Sequence, residues 1–126
     1  MKLRIRDNSI RLRLTRVEVD AVREQGVIVA KTGFPGGREF RYGIESSPAS
    51  VNPAAFFSAN EITVRLPETM VLAWATSEQV SMLGEQVLDD GAKLTILVEK
   101  DFACLVPRDG EDECDMFENP DDEAKC

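Results

Sequence analysis

The sequence predicts an α+β fold: an antiparallel sheet or partial barrel of seven to eight strands with two short helices. Three observations carry that expectation. Short runs alternating apolar and polar residues recur along the chain, separated by turn residues. Only two stretches combine helical spacing with helix-end signals. Hairpins dominate the rest, which sends the helices to one face or end of a sheet.

The first element is a hairpin. KLRIR and SIRLRL both alternate apolar and basic residues around Asp7-Asn8, a pair that tolerates the backbone of a tight turn. A two-residue turn sets Arg4 opposite Arg11, Leu3 opposite Leu12 and Lys2 opposite Arg13. One face is then apolar (Leu3, Ile5, Ile10, Leu12, Leu14) and the other stacks like charges. A helix over about residues 16–25 follows. Thr15 and Glu18 form a capping box, Leu14 and Val19 sit at staple positions, and Gly26 marks the stop.

VIVAKTGF and REFRYGIES form the next strand pair around Pro35-Gly36-Gly37. Phe40, Tyr42 and Ile44 share one face; Arg41 and Glu45 share the other. AAFFSAN and EITVRL pair around Asn60. Pro67 opens a short helix, PETMVLAWAT, whose Met70, Val71 and Trp74 are spaced to face a core. SMLGEQVLDD and AKLTILVEK make the last pair across Asp89-Asp90-Gly91. The chain thus reads as one α+β domain over 1–106 followed by an acidic tail over 107–126. The sequence shows no internal repeat and no heptad pattern.

Charge is strongly segregated. Residues 1–98 carry 12 acids and 12 bases, so the whole net charge of −8 lies in the last 28 residues. The bases crowd the front, where Lys2, Arg4, Arg6, Arg11, Arg13 and Arg16 face a single acid, Asp7. Like charges directly opposite on paired strands cost up to about 1 kcal/mol each, so such a face demands anions or open water. The candidate anion-binding residues are therefore Arg4, Arg6, Arg11 and Arg13, with Arg41 and Arg65 expected to extend the same surface. Three sources of negative charge are at hand: neighbouring glutamates, the acidic tail folded back, or an external anion. Nucleic acid is disfavoured by the overall acidity and by the lack of basic runs interleaved with aromatics.

Other chemistries find little support. Histidine is absent, which removes the commonest general base and zinc ligand. Cys104, Cys114 and Cys126 are odd in number and lack a C-x-x-C spacing, against both a disulfide framework and a zinc site. Cys104 reads as a buried, inert thiol. The tail lacks the calcium-loop pattern, and GFPGGREF lacks a phosphate-loop signature. No catalytic residue, metal site or cofactor is assigned. No apolar run is long enough for a membrane span, and the N-terminal residues lack the apolar core of a signal peptide, so the expected location is the cytoplasm.

RIRDNSIRLRLT at the start, ITVRLPETMVLAWATSEQV in the middle and LVEKDFACLVPRDGEDECDMFENP at the end resemble a family of small bacterial proteins of unknown function. The resemblance runs nearly the full length. It departs near the end, where the family pattern reads closer to FPNP and this chain has Phe117-Glu118-Asn119-Pro120. It implies no activity. The alternating arginine rows are also similar to those of triphosphate-binding tunnel proteins, but the E-x-E-x-K opening of that family is missing, since the first strand reads KLRIR. Function is thus expected to be binding or interaction without catalysis, through a basic sheet face and an acidic tail. The partner is a protein or an anionic small molecule. The alternative is a binder or hydrolase of a phosphorylated small molecule, with carboxylates such as Glu99 and Asp101 holding a divalent ion.

Overall fold

The structure, a computed structural model, describes residues 1–102. The three cysteines, the 106/107 boundary and the acidic stretch beyond it lie outside the described residues. Eight strands and two helices follow one another as β1 (Lys2–Arg6), β2 (Ser9–Leu14), α1 (Arg16–Gln25), β3 (Val27–Phe34), β4 (Arg38–Ser47), β5 (Ala54–Ser58), β6 (Glu61–Pro67), α2 (Glu68–Ala75), β7 (Ser81–Val87) and β8 (Lys93–Lys100). A 3₁₀ turn at Pro35–Gly37 links β3 to β4. The fold is α+β, as expected.

The local signals act as read. Lys2 pairs with Arg13, Leu3 with Leu12, and Arg4 with Arg11. Thr15 Oγ1 accepts from the Glu18 N–H at 3.3 Å while Glu18 Oε1 accepts from the Thr15 N–H at 2.9 Å, so α1 has its capping box. Gly26 closes that helix at φ 83°, a left-handed conformation that favours glycine. Ala59 and Asn60, with φ of 50° and 62°, make the tight turn between β5 and β6.

Two expectations about topology are corrected. The strands form two open four-stranded sheets, ordered β1-β2-β8-β7 and β3-β4-β6-β5, in place of one antiparallel sheet or barrel. Each sheet is mixed: its outer pairs are antiparallel, but its central pair, β2–β8 or β4–β6, is parallel. Alternation has period two in either orientation, so the sequence pattern could not separate them.

The second correction concerns repeats. The chain is built as two ββαββ units, β1-β2-α1-β3-β4 and β5-β6-α2-β7-β8, related by a pseudo-twofold. Each sheet takes the first hairpin of one unit and the second hairpin of the other. The core follows the same relation. Ile10, Leu12, Leu14, Val19 and Val22 are buried, and so are Ile62, Val64, Leu66, Val71 and Trp74, each 52 positions further on. Even isolated backbone bonds are matched. Thr95 N–H donates to Asn8 O at 2.9 Å where Arg41 N–H donates to Asn60 O at 3.0 Å. Ser46 N–H donates to Gly26 O at 2.8 Å where Lys100 N–H donates to Val80 O at 3.0 Å.

The inner faces of both sheets and the apolar sides of both helices close on one core. Trp74, at its centre, is wholly buried and donates its indole N–H to Val80 O at 2.8 Å, so its one polar atom is satisfied. Among the described residues no helix is long and apolar enough to cross a membrane.

Candidate anion-binding face

The register of the first sheet lays its outward side chains in rows. Lys2, Arg13, Glu99 and Ser81 form one row; Arg4, Arg11, Leu97 and Leu83 the next; Arg6, Ser9, Thr95 and Glu85 the third. Arg4 and Arg11 stand opposite each other on one face, as alternation requires, because their neighbours Leu3, Ile10 and Leu12 turn to the core.

Among the described residues, one carboxylate meets two of these cations. Glu99 Oε1 lies 2.8 Å from Arg13 Nε, which donates to it, and 3.1 Å from Arg11 Nε. The Arg11 N–H is screened from solvent and misaligned for a hydrogen bond, so that contact is ionic only. Lys2 Nζ sits 3.5 Å from Asp101. Among the described residues, Arg4 and Arg6 have no carboxylate partner. A cleft of about 320 Å³ opens here, lined by Lys2, Arg4, Arg11, Arg13, Leu3 and Tyr42. The Tyr42 hydroxyl donates to Met1 O at 3.2 Å and pins the start of β1 beside it.

Arg41 and Arg65 are elsewhere. They belong to the second sheet, so the expectation that they extend the same surface is corrected. Arg41 pairs with Glu39 at 3.2 Å and Glu61 at 3.4 Å. Arg65 pairs with Glu45 at 3.5 Å and lies 4.6 Å from the centre of the Phe56 ring. Both cations are matched locally, one of them with a cation–π contact as well. Of the six arginines, the structure brings together Arg4, Arg6, Arg11 and Arg13.

The Glu99–Asp101 pair is likewise committed to cations. No cluster of three metal-ligating side chains occurs among the described residues. Sequence reasoning missed two groups. Tyr42, placed by alternation on the face of Phe40 and Ile44, also brings its hydroxyl to the rim of the cleft. Glu18, read as a cap, also takes the terminal ammonium of Met1. Burial works to raise the Glu18 pKa, but the hydrogen bonds from that ammonium and from Thr15 outweigh it and hold the carboxyl below its ordinary value.

A family model matches residues 1–121, all but the last five. The chain belongs to the family of unknown function DUF7009. No curated protein and no solved structure matches it. DUF7009 membership fits the resemblance seen in the three sequence stretches, and it assigns no role to any residue. The chemistry of this DUF7009 face must therefore be argued from its own charges.

Proposed function

We propose that this chain is a non-catalytic binding protein whose first sheet presents a basic outer face to an anionic partner. One observation carries the reading. The two sheets are pseudo-equivalent, yet their outer faces differ in charge. On the first, the carboxylates that the described residues set among Lys2, Arg4, Arg6, Arg11, Arg13 and Lys93 are Glu85, Glu99 and Asp101. On the second, Lys31, Arg41 and Arg65 are balanced by Glu39, Glu45 and Glu61. The balanced face shows what local neutralisation achieves in this architecture, and among the described residues the strands of the first sheet carry fewer carboxylates than cations, at a cost in like-charge repulsion.

The second reading, a site for a phosphorylated small molecule, is favoured by the cleft itself. Arginine suits phosphate because its guanidinium donates in a fixed fork, and Lys2 adds a point charge. The reading extends to a bacterial setting, which the family resemblance suggests, and to the cytoplasm, which the odd number of cysteines supports.

The test is a thermal-shift series on the full chain with pyrophosphate, a nucleoside triphosphate and an acidic peptide, each at low and high salt. A ligand that binds only the folded state raises Tm by mass action, and the effect on an exposed cationic face fades with salt. No shift with any of the three at low salt would sink the reading.

A further inference from the structure

The outer face of the first sheet is divided lengthwise. Its β1–β2 half carries Lys2, Arg4, Arg6 and Arg11, while its β8–β7 half carries the aliphatic side chains Leu97, Leu83 and Val87. The division is sharpest in one row, where Arg4 stands opposite Arg11, Arg11 beside Leu97, and Leu97 opposite Leu83. Three strand spacings of about 4.8 Å set the ends of that row about 14 Å apart. The two glutamates on the aliphatic half are engaged, Glu99 by Arg11 and Arg13 and Glu85 by Lys93. Leu83 and Val87 are 63% and 68% exposed, where a solvated sheet face carries polar side chains.

The face limits what can lie on it. An extended peptide joins a sheet at its edge, through backbone hydrogen bonds; laid flat on the face it leaves its own N–H and C=O groups unpaired. An α-helix satisfies its backbone internally and needs only a side-chain stripe. The dimensions agree. Leu83 and Val87 lie four residues apart on β7, as Lys2 and Arg6 do on β1, about 13 Å in each case. That distance is the rise of about nine helical residues, room for apolar anchors at i, i+4 and i+7. The cations flank the aliphatic side chains on one side, so the complementary helix carries its acids along one flank of its apolar stripe. A second basic face is repelled.

We propose that the outer face of the first sheet docks an amphipathic helix of another protein, acidic along one flank. Its apolar stripe covers Leu97, Leu83 and Val87, and its carboxylates meet Lys2, Arg4 and Arg6. The inference rests on the anion-binding reading of this face and names the class of its partner. The pseudo-twofold shows that the combination is particular to this sheet. At the positions equivalent to Arg4, Arg11, Leu97 and Leu83 the second sheet has Phe56, Thr63, Gly43 and Val29, a row with no cation and no side chain at Gly43. Charge orients the helix, and burial of the aliphatic side chains supplies affinity that a bare anion lacks. Withdrawing an aliphatic contact from such an interface weakens binding by about tenfold.

Titration of the full chain with two synthetic peptides of about 16 residues, about 24 Å as a helix, tests this alongside pyrophosphate. One peptide carries leucines at helical spacing with glutamates along one flank; the other holds the same residues in an order that scatters the stripe. The expected result is that the first binds about tenfold more tightly, gains helicity by circular dichroism, and keeps that margin as salt weakens both. Leu83→Ser/Val87→Ser should remove the margin and leave pyrophosphate affinity unchanged, Arg4→Glu should weaken all three ligands, and Val29→Ser on the second sheet should change nothing. Equal affinity for the two peptides, or binding without a gain in helicity, would overturn the docking. So would anionic vesicles sedimenting the chain while neither peptide binds, which assigns the face to a lipid surface, or a dimer that Leu83→Ser/Val87→Ser dissolves while neither peptide binds, which assigns it to a second copy. Pyrophosphate binding with neither peptide bound sinks this inference and leaves the anion-binding reading standing. Failure of pyrophosphate and both peptides sinks that reading.

Discussion

Replacing Glu99 by Gln removes the carboxylate that Arg11 and Arg13 share. The Glu99 side chain is only 13% exposed, and the two arginines are 30% and 25% exposed. This lies between an exposed pair, worth at most about 1 kcal/mol, and a buried pair, whose breaking costs about 3–5 kcal/mol. Gln keeps an acceptor for the Arg13 Nε bond but removes the negative charge that Arg11 and Arg13 share. A loss of about 2 kcal/mol follows, or about 8 °C in Tm for a chain of this size. The pseudo-twofold supplies the control. Glu45 holds the equivalent place in the second sheet, pairs with Arg65 alone at 3.5 Å and is 39% exposed. Glu45→Gln should therefore cost less than about 0.5 kcal/mol. Thermal and urea denaturation of the two variants, side by side, measure the difference. Equal losses would refute the argument that Glu99 carries the neutralisation of this face.

Three further outcomes are expected. Gly84→Ala builds a Cβ within 2.7 Å of the Pro53 ring and should lose about 1–3 kcal/mol in chemical denaturation, although the equivalent position is Ala30. Trp74→Phe leaves the Val80 carbonyl without its donor and shrinks the centre of the core, for a loss of about 1–3 kcal/mol by circular dichroism; the parent's only tryptophan should show the blue-shifted emission of a dry site until the cooperative transition. Glu18→Gln should cost about 1 kcal/mol at neutral pH. Because the folded state holds the Glu18 pKa below its unfolded value, that contribution is complete above the unfolded pKa and is lost as pH falls through the folded one. Parent and variant stabilities should accordingly converge at acid pH.

The first two strands and the first helix were legible residue by residue, because their signals are local. A two-residue turn fixes the register of β1 on β2, and Thr15 with Glu18 fixes the start of α1. What escaped the sequence is what joins distant segments. Glu99 reaches Arg11 and Arg13 only because β8 lies parallel to β2, a neighbour 86 residues away. Arg41 and Arg65 obey the same alternation as Arg11 and Arg13, and nothing local assigns them to another sheet. The duplication was hidden because its two copies share a pattern more than residues. Ile10, Arg13 and Leu14 recur as Ile62, Arg65 and Leu66, but Leu12 becomes Val64, Val22 becomes Trp74 and Arg4 becomes Phe56. The alternation and burial of the positions are kept through these core swaps, while the side-chain volume at a single position is not. The last of the replacements changes a surface residue on β1 and its counterpart β5; with Lys2 against Ala54, Arg6 against Ser58 and Arg11 against Thr63, it parts the two faces in charge.

Calorimetric titration of pyrophosphate into the full chain, its Arg4→Glu/Arg6→Glu variant and a Lys31→Glu variant on the second sheet is the most direct test of the basic face. The account predicts that binding is lost in the first variant, is retained in the second, and weakens with added salt. Equal affinity in all three proteins would contradict it.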